Sequence, residues 1–278
     1  MDLETLAWGY GLIEGPRADA AGGLYFSDVT RGGVYRRERD GGVATVVPKR
    51  RGVGGIALHR DGGLVISGRD VCHVRAGATR ILLERPPGVG GFNDLFTDAA
   101  GRVYVGSLRS DPFDLGRERE AGELYRIDPG GAWVALYGDV GLSNGIGFSP
   151  DGAILYHADS AAGQILAHEV DADGRTSNRR VFASLEGGAP DGLAVDAQGG
   201  VWVASFGGGA VHRFTPDGAR DRRIAIPASH VTSLCFGGAD GCDLYVVSAD
   251  NTERPERGGT IFRARSEIPG LPAPPARV

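Results

Sequence analysis

Lysine is almost absent from this chain: Lys49 is the only one among 30 basic residues, the rest being arginine. Against 35 acidic residues this leaves a net charge of −5, and no concentrated basic face is written in the sequence, which argues against nucleic acid as a partner. Cysteine is scarce as well. Cys72, Cys235 and Cys242 are odd in number and form no C-x-x-C pair, so neither a disulfide framework nor a cysteine zinc site is expected, and free thiols in a reducing compartment are. No apolar run approaches the ~18 residues of a membrane span, and Met1-Asp2-Leu3-Glu4 lacks the basic-then-apolar start of a signal peptide. The expectation is a cytoplasmic chain with no membrane partner; the sequence is silent on oligomeric state. Helical periodicity is missing throughout. The six histidines (His59, His73, His157, His168, His212 and His230) make no HExxH spacing, and no G-x-S-x-G elbow occurs.

Glycine is plentiful: 47 Gly and 15 Pro punctuate short, evenly spread apolar runs that make up 41% of the chain, the signature of a folded protein with many turns. One phrase recurs six times, a turn of Asp, Gly or Ala followed by a β-rich stretch: DAAGGLYFSD, HRDGGLVISG, TDAAGRVYVGS, SPDGAILYHADS, VDAQGGVWVAS and GGADGCDLYVVS. Anchored on Tyr25, Val65, Tyr104, Tyr156, Trp202 and Tyr245, the copies are 39 to 52 residues apart and average 44, the length of a four-stranded propeller blade. A second alternating phrase follows each anchor and supplies the next hairpin strand, as in GELYRIDPGG and GAVHRFTPDG. The fold expected is an all-β, six-bladed β-propeller occupying residues 1–278 as one domain. Leu3 to Trp8 are available to pair with the last blade and close the ring. The insertion at 110–120 and the Pro-rich tail at 268–278 read as solvent-exposed additions, the first with the length to act as a lid.

Repeats place equivalent residues in equivalent positions, so a polar residue shared by several blades in one register should meet its counterparts at the axis. Stepping back 11 or 12 residues from the anchors gives Glu14, Asn93, Asn144 and Asp191. The second blade has Gly54 in this register and the sixth falls near Ser233. Each polar residue alone is a common turn former, and the Asp residues of the repeat turns, such as Asp19, Asp61, Asp151 and Asp217, are read that way. Four in one register instead describe a hard-oxygen site suited to calcium, magnesium, manganese or iron, with zinc less favoured.

The segments IEGP, FND with TDAAGRVYVGS, SNGIGFSPDG with LYHADS, and PDGLAVDAQGGVWVA resemble the SMP-30/gluconolactonase/luciferin-regenerating enzyme family over nearly the whole chain. The resemblance implies a six-bladed propeller with one divalent metal in its channel, calcium first and manganese, magnesium, iron or zinc also compatible. It also implies hydrolysis of a small lactone or ester. On its motifs Glu14, Asn144 and Asp191 would hold the metal and Asn93 would contact substrate. Asp191 is the expected general base, with Glu14 the second candidate. Similar propellers cleave phosphotriesters, and a propeller can also serve as a non-catalytic binding platform. One departure concerns substrate. Sugar-lactonase members often carry an Arg two residues before the Asn of FND, where this chain has Gly91, so Gly90, Gly91 and Phe92 imply a roomier, more apolar pocket.

Overall fold

In the computed structural model, which describes residues 2–114 and 119–278, the chain folds into six four-stranded antiparallel sheets arranged as a β-propeller. In chain order the blades occupy residues 13–47, 56–83, 91–140, 143–184, 189–225 and 231–265. All six anchor residues fall on the second strand of their blade, as the repeat predicts. The sixth sheet takes its outermost strand from the N-terminus: Glu4–Tyr10 pairs antiparallel with Gly259–Arg265, joining the two ends of the ring as expected. Among the described residues the one helical element is the 3-10 turn Pro255–Arg257, and no helix is long and apolar enough to cross a membrane.

Why the ring forms is visible in the burial. Each blade is a twisted sheet with two apolar faces, and a single blade has nothing to cover them. The apolar side chains accordingly gather in six clusters, one at each blade-to-blade interface. Trp202, fully buried between the fifth and sixth blades, and Tyr104, fully buried between the third and fourth, are the largest of these. The inner strands (Ile13–Ala18, Ile56–Leu58, Gly91–Thr97, Ser143–Phe148, Ala189–Val195 and Val231–Gly237) are nearly continuous in burial and each contacts both neighbours around the axis. Outer strands such as Val43–Val47 face water along most of their length.

The repeat turns behave as read. Asp19 accepts the N–H groups of Ala21 and Gly23, and Asp151 accepts that of Ala153. The tail does not. Expected as an exposed extension, it instead crosses the mouth of the channel where the inner strands end. Leu271 N donates to Val195 O at 2.9 Å, Thr97 Oγ1 donates to Pro274 O, and Ala276 N donates to Leu58 O at 2.8 Å. Arg277 N reaches Gly101 O at 2.9 Å, and Ala276 and Val278 are buried in the core between the second and third blades. The physical reason is that prolines hold this segment extended, while the last inner-strand residues offer unpaired backbone groups that it satisfies.

Candidate active site

The opposite mouth, where the inner strands begin, carries the polar register. Glu14, Asn93, Asn144 and Asp191 stand on four different inner strands and all four line one cavity of about 710 Å³. In each of these strands the sheet register slips at or beside the polar residue: between Glu14 and Arg17, Phe92 and Leu95, Ser143 and Ile146, and Pro190 and Leu193. A bulge twists the strand and re-aims its side chains, here toward the axis. Glycine follows the polar residue in three of the four strands, and at Gly145 a Cβ would collide with Leu193 N and Asp191 O. Close approach of the inner strands therefore requires glycine at that position.

The two amides touch. Asn93 Nδ2 donates to Ser143 O at 2.9 Å and to Asn144 Oδ1 at 3.2 Å, while Asn144 Nδ2 donates to Ser160 Oγ at 3.1 Å. Ser160 in turn donates to Pro190 O at 2.6 Å, so the last residue of the LYHADS phrase fixes the orientation of Asn144. The two remaining blades place no carboxylate or amide in this register. In the second blade a Cβ at Gly54 would overlap Asn93 Oδ1, so the missing side chain leaves room for Asn93. In the sixth, Thr232 donates to Ile13 O at 2.5 Å, knitting the first and last blades together, and Ser233 is buried against Gly192.

The carboxylates are under electrostatic pressure. Burial, followed by repulsion from Asp191 and Asp94, raises the pKa of Glu14 well above the usual carboxylate range, with only the Gly15 N–H opposing. Burial and repulsion from Asp94 do the same to Asp191, with the Gly192 N–H opposing. Asp191 Oδ1 is buried with no hydrogen-bond partner. Among the described residues no group of three or more His, Cys, Asp and Glu is gathered for a metal, so any ion here would take two carboxylates and complete its oxygen shell with amides. That donor set suits a hard divalent cation, and the repulsion and the orphaned oxygen are what such a cation would relieve.

Asp94 was missed by the sequence reading. Burial pushes it up to about 6, against the Arg17 guanidinium and the Leu95 N–H, and it repels both Glu14 and Asp191. Strict strand alternation would turn Asp94 away from the Asn93 side, and the slip between Phe92 and Leu95 breaks that alternation. The available signal was two adjacent polar residues in the apolar run FNDLF.

The rest of the cavity is largely apolar, with Leu12, Val29, Phe92, Leu142 and Phe206 around the polar floor. Ser110, Asp111, Pro112, Phe113 and Arg119 also line it, so the insertion is a wall of the cavity and not mere padding; residues 115–118 of that segment lie outside the described residues. His157 does not reach the channel, being buried between the third and fourth blades with Tyr137 OH on one ring nitrogen and Ser143 Oγ on the other, and His230 is half-exposed against Phe206.

Comparison with known proteins agrees with this geometry. The SMP-30/Gluconolactonase/LRE-like region matches residues 12–250. A 6-deoxy-6-sulfogluconolactonase of Pseudomonas putida is 34% identical over 267 residues, covering 90% of this chain and 89% of the relative. The solved luciferin-regenerating enzyme superposes with a TM-score of 0.88 at 22% identity, covering 100% of this chain and 99% of the other. A solved calcium-binding protein, regucalcin from Agrobacterium tumefaciens, superposes with a TM-score of 0.85 at 25% identity, covering 99% and 97%. A bulged polar register on four inner strands, a six-bladed ring and a sequence match spanning most of the chain point the same way: the protein belongs to the SMP-30/gluconolactonase/LRE-like family.

Proposed function

We propose that the protein is a divalent-metal-dependent lactonase that opens a small lactone ring with water. The observation that carries this is the pair of buried carboxylates, Glu14 and Asp191, left repelling each other, with Asp191 Oδ1 lacking a hydrogen-bond partner, at the floor of an open cavity. A fold selected for stability alone would pair or neutralise them. Support for the substrate class comes from the Pseudomonas putida relative, a lactonase by name, and for calcium as the first ion to test from the regucalcin neighbour.

Glu14, Asn144 and Asp191 would hold the ion, which when bound supplies Lewis acidity to the ester carbonyl. The chain's own residues do the remaining work. Asn93, fixed against Asn144 and Ser143 O, is placed to contact the substrate beside the carboxylates. The apolar wall of Leu12, Phe92 and Phe206 restricts bulk water around the ring. Asp191 takes a proton from the attacking water as the new C–O bond forms, and returns it to the ring oxygen as the acyl C–O bond breaks, leaving a hydroxy acid.

A pH-drop assay over five- and six-membered lactones, run as purified, with chelator, and with calcium, manganese, magnesium or zinc restored, tests this. Turnover should vanish with chelator and return with an added ion. Chelator-insensitive turnover, or inactivity on every lactone with every ion, would overturn it, and phosphotriesters in the same panel examine the other chemistry known for similar propellers.

A further inference from the structure

Among the described residues five charged ones line the cavity. Glu14 and Asp191 stand at the floor, and Asp111, Arg69 and Arg119 stand on the surrounding loops. The two guanidinium groups differ from their neighbours in making no ion pair among the described residues. Arg50 is bound to Asp70 at 2.6 Å, which removes the carboxylate adjacent to Arg69 in sequence, and Arg109 is held by Glu123 through Nε at 2.9 Å. Arg69 is exposed and makes no ion pair or hydrogen bond among the described residues. Arg119 donates from Nη2 to Pro112 O at 3.1 Å, yet its Nη1 is buried with no acceptor. Asp111 makes no ion pair with either one among the described residues; its Oδ1 accepts Phe113 N at 2.9 Å.

A guanidinium N–H buried without an acceptor is left with an unrepaid desolvation penalty, so a ligand that supplies the acceptor recovers it on binding. Gly68, next to Arg69 in sequence, Gly90 and Gly91 line the cavity without adding side chains to it. Gly68 and Phe92 are bridged, and a Cβ at Gly91 would press on Gly68 O at 3.0 Å, so the two loops come close at this glycine pair. At about 710 Å³ the cavity is also of the size that takes drug-sized ligands, with room beyond a single lactone ring.

We infer that the substrate is a lactone bearing an anionic substituent away from its carbonyl, of sulfonate or phosphoryl type, and that Arg119 and Arg69 are its specificity-determining residues. The inference rests on the lactonase reading above and names the substrate class for it. Planar guanidinium forks match tetrahedral oxyanions with paired, charge-assisted hydrogen bonds. Because the anion is remote from the reacting bond, its binding energy is the same in ground and transition states and should appear in KM.

The test uses matched aldonolactones that differ only at the terminal carbon: hydroxyl, sulfonate or phosphoryl. The wild type should favour at least one anionic lactone by 10-fold or more in kcat/KM. Arg119→Gln and Arg69→Gln should each raise KM for that lactone about 10-fold, leaving kcat and all constants for the neutral lactone unchanged. Calorimetric binding of the corresponding ring-opened acids gives a readout independent of turnover, with the anionic acid tighter and that advantage lost in the double variant. Equal binding of neutral and anionic acids, or a double variant that keeps the preference, would overturn the inference. If no lactone is turned over while the binding preference and its loss persist, the lactonase reading fails and the anion subsite stands.

Discussion

Two aspartates at the two ends of the fifth inner strand, Ala189–Val195, meet opposite fates. Asp191, at the open mouth, is buried with Oδ1 unpartnered and its pKa raised. Asp196, just past the other end, is fully buried as well, but Oδ1 accepts Gln198 N at 3.0 Å and Gly200 N at 2.8 Å, while Oδ2 accepts Trp202 Nε1 at 2.8 Å and Arg213 Nε at 2.7 Å. Burial alone would raise Asp196; the bonds from Arg213, Trp202 and Gly200 overcome it and hold the carboxyl below the usual range. The two mouths extend this contrast. At the tail-covered mouth the ends of inner strands are satisfied by the tail's backbone, whereas at the register mouth Asp28 and Asp159 cap their loops but Glu14 and Asp191 repel each other and Asp191 Oδ1 has no partner.

Asp191→Asn breaks the open end. It should lower kcat/KM on the preferred lactone by about 10³-fold or more, the scale expected when a general base is lost together with a metal ligand. The thermal midpoint should stay level or rise, because a repelled, buried carboxylate has been removed. Lactone kinetics with a melting curve on the same sample checks both, and a folded variant with near-normal turnover would remove Asp191 from the chemistry.

Asp196→Ala breaks the closed end. It leaves Trp202 Nε1 unpartnered and Arg213 with only its partly exposed partner Asp221, and should cost about 3 kcal/mol in urea unfolding, the low end of the penalty for halving a buried ion pair. Measured below the new midpoint, kcat should stay within a few-fold of wild type. A large loss of kcat in the folded variant would mean that the two ends are not independent.

A smaller effect sharpens the comparison from the interface between the third and fourth blades. Burial, then the neighbouring His168 and Arg179, lowers His157 to about 3, and burial with Arg179 and Arg180 lowers His168 to about 4. Both folded values lie below the unfolded value of about 6.5. Their neutral forms therefore stabilise the fold fully above that pH, and the contribution is lost as pH falls below it toward the folded values. Between pH 7 and pH 5 His157 should cost the wild type about 2 kcal/mol, at 1.36 kcal/mol for each pH unit below the unfolded value. In His157→Gln that part of the pH dependence should disappear, and unfolding curves at the two pH values would show it; an unchanged slope would contradict the assignment.

How far the sequence could be read follows from the same physics. The blade repeat was legible because second strands are buried on both faces and keep their aromatic and β-branched anchors, Tyr104 and Trp202 among them. Glu14, Asn93, Asn144 and Asp191 were legible as a group because a propeller turns shared register into shared place, and all four do line one cavity. Outer strands such as Thr176–Ser184 were not legible, since a water-facing edge with little burial imposes no clean alternation. Asp94 was hidden by a bulge that sequence alternation cannot foresee. The tail was misread because Pro-rich composition reports an extended chain and says nothing about the unpaired strand ends waiting for it. Arg69 and Arg119 could not be singled out, because what distinguishes them is the absence of a partner, and partners belong to the fold.

The claim on which all of this turns is that Glu14, Asn144 and Asp191 grip one cation at the open mouth. Calorimetric titration of chelator-treated protein with calcium, and with manganese as a second ion, tests it directly. One site per chain is expected, weakened at least 100-fold in Glu14→Gln and in Asp191→Asn while both variants remain folded. Undiminished binding in those variants, or a wild type that takes up neither ion, would contradict it.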